Sequence, residues 1–86
     1  MNNLTFTPEA WEDYLFWQTY DKQLLHRINE LIKEVQRTPF TGRGKPEPLR
    51  FEFQGCWSRR INQEHRQVYK VVDDTLVILS LRFHYK

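Results

Sequence analysis

Eighty-six residues, 40% of them hydrophobic and 15% aromatic, suffice for one hydrophobic core but not for two, and they exclude a disordered chain. No apolar run is long enough to span a bilayer, the N-terminus lacks the segments of a signal peptide, and the lone Cys56 excludes an internal disulfide or a thiolate zinc site, so a single soluble, cytoplasmic domain over residues 1–86 without metal or cofactor is expected. The net charge of +2 is unevenly spread: residues 1–37 hold four Lys or Arg against six acids, and residues 38–86 hold nine against five, an asymmetry that suits an anionic partner such as nucleic acid.

Leu4-Thr5-Phe6-Thr7 alternates apolar and polar residues and predicts a short edge strand. Thr7 is placed to cap a helix with Pro8 at its first position and Glu9 in its first turn, running to about Gln18. Trp11, Tyr14 and Leu15, with Phe16 or Trp17, supply its apolar side and read as core. Asp21 is placed to cap a second, longer helix, in which Leu24, Leu25, Ile28, Leu31, Ile32 and Val35 recur at spacings of three and four. Thr38-Pro39 ends it, because the residue before proline is pushed out of the helical region. His26 lies beside that stripe and reads as an ordinary boundary residue.

Thr38 to Leu49 holds three prolines and two glycines, which argue against both helix and strand. Gly42-Arg-Gly-Lys45 lacks the spacing of a nucleotide-binding P-loop. Within the loop, Pro46 and Pro48 restrict the backbone on either side of Glu47, so its carboxylate is a candidate for a fixed direction; the alternative is a solvated loop acid. From Leu49 the period becomes that of strands. Leu49, Phe51 and Phe53 alternate with Arg50, Glu52 and Gln54, and Gly55 marks a turn or bulge. Trp57 to Asn62 is the next run, a short turn at Gln63-Glu64 leads into His65 to Val72, and Asp73-Asp74 turns the chain into Thr75 to Phe83. A three-residue turn would set Arg60 and Arg66 on one face. In the last strand apolar residues fall on both parities, which predicts a central position with protein on both faces.

These elements predict an α+β fold: two N-terminal helices packed on one face of a twisted, mainly antiparallel four- to five-stranded sheet. The other face is expected to be concave and basic, carrying Phe, Trp and Arg residues. The last strand would deliver Arg82, His84, Tyr85 and Lys86 to one spot.

Glu47, Arg60, Arg66, His84 and Tyr85, with Lys45 and Arg50 nearby, suit cleavage of RNA by its own 2′-hydroxyl. Glu47 fits the base, Arg66 the phosphoryl oxygens and His84 the acid, while Tyr85 could bond the phosphate or stack on a base. The alternative is that Arg60 and Arg66 pair with Glu52 and Glu64 and that the terminal residues merely pack.

The stretches Arg37-Thr-Pro-Phe-Thr-Gly-Arg-Gly-Lys-Pro-Glu-Pro-Leu49, Trp57-Ser-Arg-Arg-Ile61, Glu64-His-Arg-Gln-Val-Tyr69 and Arg82-Phe-His-Tyr85 closely resemble the YoeB toxins of the RelE/ParE superfamily. Trp11-Glu-Asp-Tyr-Leu15 and Ile28-Asn-Glu-Leu-Ile-Lys33 extend the resemblance over nearly the whole chain. It implies a RelE-like, microbial-RNase-like fold and a ribosome-dependent endonuclease that cuts messenger RNA in the A site, paired with a YefM-like antitoxin and often dimeric. It also implies that Glu47 is the base, that Arg66 serves the transition state, and that Arg60, His84 and Tyr85 match the second arginine and the terminal His-Tyr pair. Lys45, Arg50 and Arg60 are the candidate RNA-binding residues. The chain departs from the family pattern at Arg50, where lysine is usual, at Phe51-Glu-Phe-Gln54, and at Cys56. A non-nucleolytic ParE-like toxin is the alternative, against which Glu47 and the terminal His-Tyr pair argue. A DNA-binding regulator lacks a recognition helix.

Overall fold

A computed structural model describes residues 3–83. Strand β1 (Asn3–Phe6) leads into helices α1 (Pro8–Tyr20) and α2 (Lys22–Arg37). There follow β2 (Glu47–Pro48), a 3₁₀ turn (Phe51–Phe53), β3 (Trp57–Arg60), β4 (Arg66–Val72) and β5 (Thr75–Ser80). The sheet order is β1-β5-β4-β3-β2. β1 runs parallel to β5 and every other pair is antiparallel, which is the α+β arrangement expected.

The caps act as the sequence suggests. Thr7 Oγ1 accepts the Ala10 amide at 3.1 Å, worth about 1 kcal/mol to the helix. Asp21 serves both helices: its own N–H donates to Trp17 O at 3.1 Å, and its carboxylate accepts the Leu24 amide at 3.0 Å. One extended residue therefore closes α1 and opens α2, and α1 continues past Gln18 to Tyr20. The α2 stripe enters the core as its period requires, with Ile28, Leu31, Ile32 and Val35 buried. The side chains of α1 do not form one stripe. Ala10 and Trp17 are buried, whereas Trp11 and Leu15 are exposed, which corrects the expectation of a wholly inward aromatic side. Under the helices lie Tyr69 on β4 and Leu76 and Ile78 on β5; burying side chains of this size stabilises by about 1.5–3 kcal/mol each.

Four expectations for the sheet change. The alternating run Leu49–Gln54 is not a strand: Leu49 N–H donates to Cys56 O at 2.9 Å, closing a loop around the 3₁₀ turn, with Phe51 at φ +57° and Gly55 at φ +94°. Conversely, Glu47 and Pro48 do form a strand inside the proline-rich loop, because β2 is at the sheet edge, where the missing proline N–H leaves no ladder bond unmade. β5 is an interior strand, but the middle position belongs to β4. One face of β5 is buried beneath the helices, and Val77 and Leu79 on the other are half-buried. Finally, β3 stops at Arg60, and the connection 61–65 is longer than the short turn expected. Arg60 nevertheless pairs directly with Arg66.

Candidate functional site

Strand alternation sorts the side chains of β3 onto two faces. Trp57 and Arg59 turn toward the helices and the loop after α2, where Trp57 meets Phe40 with ring centroids 4.8 Å apart. Ser58 and Arg60 turn to the face away from the helices. The register then fixes a small constellation there: Glu47 stands opposite Ser58, Ser58 opposite Val68, and Arg60 opposite Arg66. Further along the same face a concavity of about 370 Å³ is lined by Phe53, Cys56, Val68, Lys70 and Leu79. Thr7, Pro8 and Glu9 complete its lining, so that hollow carries one cation and one acid, and it does not include Glu47, Arg60 or Arg66; the cations of the open face lie at Arg60 and Arg66, and Trp57, expected there, lies on the other side.

Two arginines directly opposite each other repel. Arg66 registers this: burial lowers its pKa, the Arg60 charge lowers it further, and the Glu47 carboxylate opposes both. Both Arg60 and Glu47 therefore act electrostatically on Arg66. Arginine stays protonated at neutral pH regardless. Arg66 Nη1 donates to Asn62 O at 2.9 Å and to His65 O at 3.2 Å, so the turn before β4 orients the guanidinium. Among the described residues neither arginine forms an ion pair with Glu52 or Glu64; the Glu64 carboxylate lies instead 3.6 Å from His65 Nε2. Two closely placed cations beside one carboxylate can bind a phosphoryl group and take up a proton next to it.

Lys45 and Arg50 flank β2 and are exposed. Among the described residues no hydrogen bond or ion pair brings either to Arg66. His84 and Tyr85 lie outside the described residues. The chain reaches them from Phe83, whose carbonyl accepts the Arg66 amide at 3.1 Å.

Sequence reading missed Arg59. It is fully buried, and its guanidinium donates to Tyr69 OH at 3.2 Å, to Arg43 O at 3.0 Å, to Thr41 O at 2.6 Å and to Thr38 O. Tyr69 OH in turn donates to Pro39 O at 2.6 Å. Burial raises the Tyr69 pKa, with the Arg59 hydrogen bond and charge opposing. This network holds the loop that leads into Glu47. Gly44 completes it: at φ +85° its carbonyl accepts the Arg60 amide at 2.7 Å, and a Cβ there would meet Arg59 Cβ and Leu31 Cδ2 at 3.2 Å. The Gly-Arg-Gly-Lys segment is therefore built for close backbone approach. Arg27 Nε, from α2, donates to Ile61 O at 2.6 Å and fixes the far end of β3. A buried arginine is detectable in sequence only as an arginine on the apolar parity of a strand, and that signal sat between Trp57 and Ile61.

Comparisons with known proteins give the family. A family model described as a YoeB-like toxin of a bacterial type II toxin-antitoxin system matches residues 6–85. The toxin YoeB of Escherichia coli is 56% identical over 82 residues, covering 95% of this chain and 98% of that protein. Among solved structures, a YoeB/ParE toxin from Agrobacterium tumefaciens superposes with a TM-score of 0.94 at 48% identity, over 96% of this chain and 99% of that one. The YoeB of Staphylococcus aureus, 48% identical over 96% of this chain and 97% of its own, matches with TM-scores of 0.90 as a dimer and 0.89 in a heterotetrameric complex with YefM. Fold, register and near full-length identity converge: the chain belongs to the YoeB-like toxins of bacterial type II toxin-antitoxin systems.

Proposed function

We propose that this toxin is a metal-independent endoribonuclease that cuts messenger RNA in the ribosomal A site and so inhibits translation. The observation that carries the reading is the placement of Glu47 and the opposed Arg60–Arg66 pair by the strand register, with both Arg60 and Glu47 acting electrostatically on Arg66. Glu47 removes the 2′-hydroxyl proton, and the oxygen attacks the adjacent phosphorus. Arg66, with Arg60 beside it, stabilises the charge that builds on the phosphoryl oxygens. His84 protonates the departing 5′-oxygen, leaving a 2′,3′-cyclic phosphate and a 5′-hydroxyl, while Tyr85 bonds the phosphate or stacks on a base. Lys45 and Arg50, exposed on either side of β2, add backbone contacts to the RNA. The attacking group exists only in RNA, so DNA is not a substrate.

The partners follow from the relatives. The S. aureus YoeB complex with YefM supports a YefM-like antitoxin for this chain, and the S. aureus dimer supports a homodimer. Primer extension on messenger RNA after induced expression tests the reaction. Cleavage within translated codons is expected from the wild type and none from Glu47→Gln, with antitoxin binding retained in both. Undiminished cleavage by Glu47→Gln would remove the base assignment.

A further inference from the structure

Past Ser80 the chain leaves the strand ladder, yet residues 81–83 are held from three directions. Leu81 is fully buried; its amide donates to Asp13 Oδ2 at 2.9 Å and its carbonyl accepts from Trp17 Nε1 at 3.0 Å. The Arg82 guanidinium carbon lies 3.8 Å from the Phe16 ring centroid, 4.8 Å from that of Phe83 and 6.0 Å from that of Trp17, so the cation is held by aromatic rings. Phe83 takes φ +64°, a conformation that a bulky side chain keeps only where its surroundings impose it.

What imposes it is a histidine that the cleavage scheme does not use. Phe83 N–H donates to His65 Nδ1 at 2.8 Å, and Phe83 O accepts from Arg66 N at 3.1 Å. Both backbone groups of one residue are thus bound by consecutive residues at the start of β4. His65 is only 7% exposed, with its ring set edge-on against Trp17 at 4.9 Å. An Nδ1 that accepts an amide proton carries none of its own, so the ring proton is on Nε2, the side where the Glu64 carboxylate lies 3.6 Å away. Toward the tail the ring thus accepts that amide through Nδ1 and packs against the Phe83 ring, with centroids 5.5 Å apart.

We propose that His65 is a positioning residue for the cleavage reaction: its Nδ1 holds the Phe83 amide and so fixes, relative to Arg66, the direction in which the chain leaves toward His84 and Tyr85. The inference rests on the reading of His84 as the acid. Consecutive Cα atoms are about 3.8 Å apart, so an acid one residue beyond Phe83 inherits any displacement of that residue almost undiminished. A misplacement of about 1 Å can cost a reaction about 10²-fold.

The test uses programmed ribosomes carrying a messenger with either the natural 5′-oxygen or a bridging sulfur at the cleaved linkage. A thiolate leaves without being protonated, so sulfur removes the need for the acid while still requiring base and phosphoryl stabilisation. His65→Leu is expected to slow cleavage of the oxygen messenger roughly 10- to 100-fold and, like His84→Ala, to regain wild-type rates on sulfur. His65→Asn, whose side-chain oxygen can accept the Phe83 amide, should stay within about 3-fold of wild type on oxygen. Wild-type speed of His65→Leu on oxygen, or an equal loss on both messengers, overturns the inference. If His84→Ala is not rescued by sulfur, the acid assignment falls and the inference with it; if His84→Ala is rescued and His65→Leu is not, the inference alone falls. Should His65→Leu fail to fold, NMR of the wild-type protein decides. A Phe83 amide protected from exchange and an unprotonated His65 Nδ1 are required, and a freely exchanging amide refutes the proposal.

Discussion

The adjacent arginines of β3 make opposite predictions, and Arg59→Met against Arg60→Met separates them. Methionine keeps much of the aliphatic stem and removes only the guanidinium. At position 59 that strands the Thr38 and Arg43 carbonyls and the acceptor side of Tyr69 OH, and leaves the Thr41 carbonyl with only the Thr38 hydroxyl. Each buried acceptor left unmatched costs about 1–3 kcal/mol, and loop relaxation toward water recovers part of it. A net loss of about 3–5 kcal/mol is expected, the range seen when buried charged networks are broken. A chain of this length has about 4–13 kcal/mol to lose, and each kcal/mol shifts Tm by about 4–8 °C. Arg59→Met should therefore melt at least about 12 °C below wild type by circular dichroism, and its cleavage should fall because the loop carrying Glu47 is released. Arg60 is exposed and faces a like charge, so Arg60→Met should melt within about 3 °C of wild type or slightly above it. It should lose cleavage alone. A loss below about 1 kcal/mol for Arg59→Met, or equal losses for both variants, would refute the assignment of the two side chains to opposite faces with opposite roles.

Gly44→Ala should lower stability by about 1–2 kcal/mol or more, since it puts a Cβ at positive φ and against Leu31 and Arg59; an unchanged urea midpoint would contradict the close approach. Tyr69 supplies a pH prediction. Its folded-state pKa is raised by burial above the ordinary value of 10.0, so the folded protein holds the phenolic proton more tightly than the unfolded chain, and the associated stability is complete below about pH 10 and declines as pH rises beyond it. Denaturant midpoints between pH 9 and 11 should fall more steeply for wild type than for Tyr69→Phe, and parallel curves would mean the hydroxyl does not titrate from a buried site. Truncation after Phe83 should leave folding and antitoxin binding intact, because the packing of Leu81 and Arg82 is untouched, and should abolish RNA cleavage. Loss of folding would assign the tail a structural role.

Much of the architecture was legible in the sequence because local physics sets it. The caps at Thr7 and Asp21, the stripe of α2 and the stop at Thr38-Pro39 depend on residues within a turn or two of each other. The Asp73-Asp74 turn is equally local, whereas the last strand, expected to reach Phe83, ends at Ser80. Charge asymmetry was legible too, with the excess of Lys and Arg in the sheet half, and Glu47 and Arg66 stood out by residue type and, through resemblance, by motif.

What only the tertiary structure decided depends on contacts between distant segments. The alternation of Leu49, Phe51 and Phe53 has a strand's period, but a loop closed between Leu49 and Cys56 puts these residues in a tight turn with Phe51 outward. Aromatic residues in α1 look alike in sequence; the position of the sheet leaves Trp11 exposed and buries Trp17. Arg59 and Arg60 carry the same chemistry, and strand parity together with the path of the loop after α2 makes one a buried tie and leaves the other exposed opposite Arg66. His65 gave no signal, since a histidine before a strand becomes an anchor only when the far end of the chain returns beside it. Sequence thus determined most of the elements through short-range sterics and hydrogen bonding; the fold decided which chemically identical residues are buried and which face the open side of the sheet, because only packing assigns the faces.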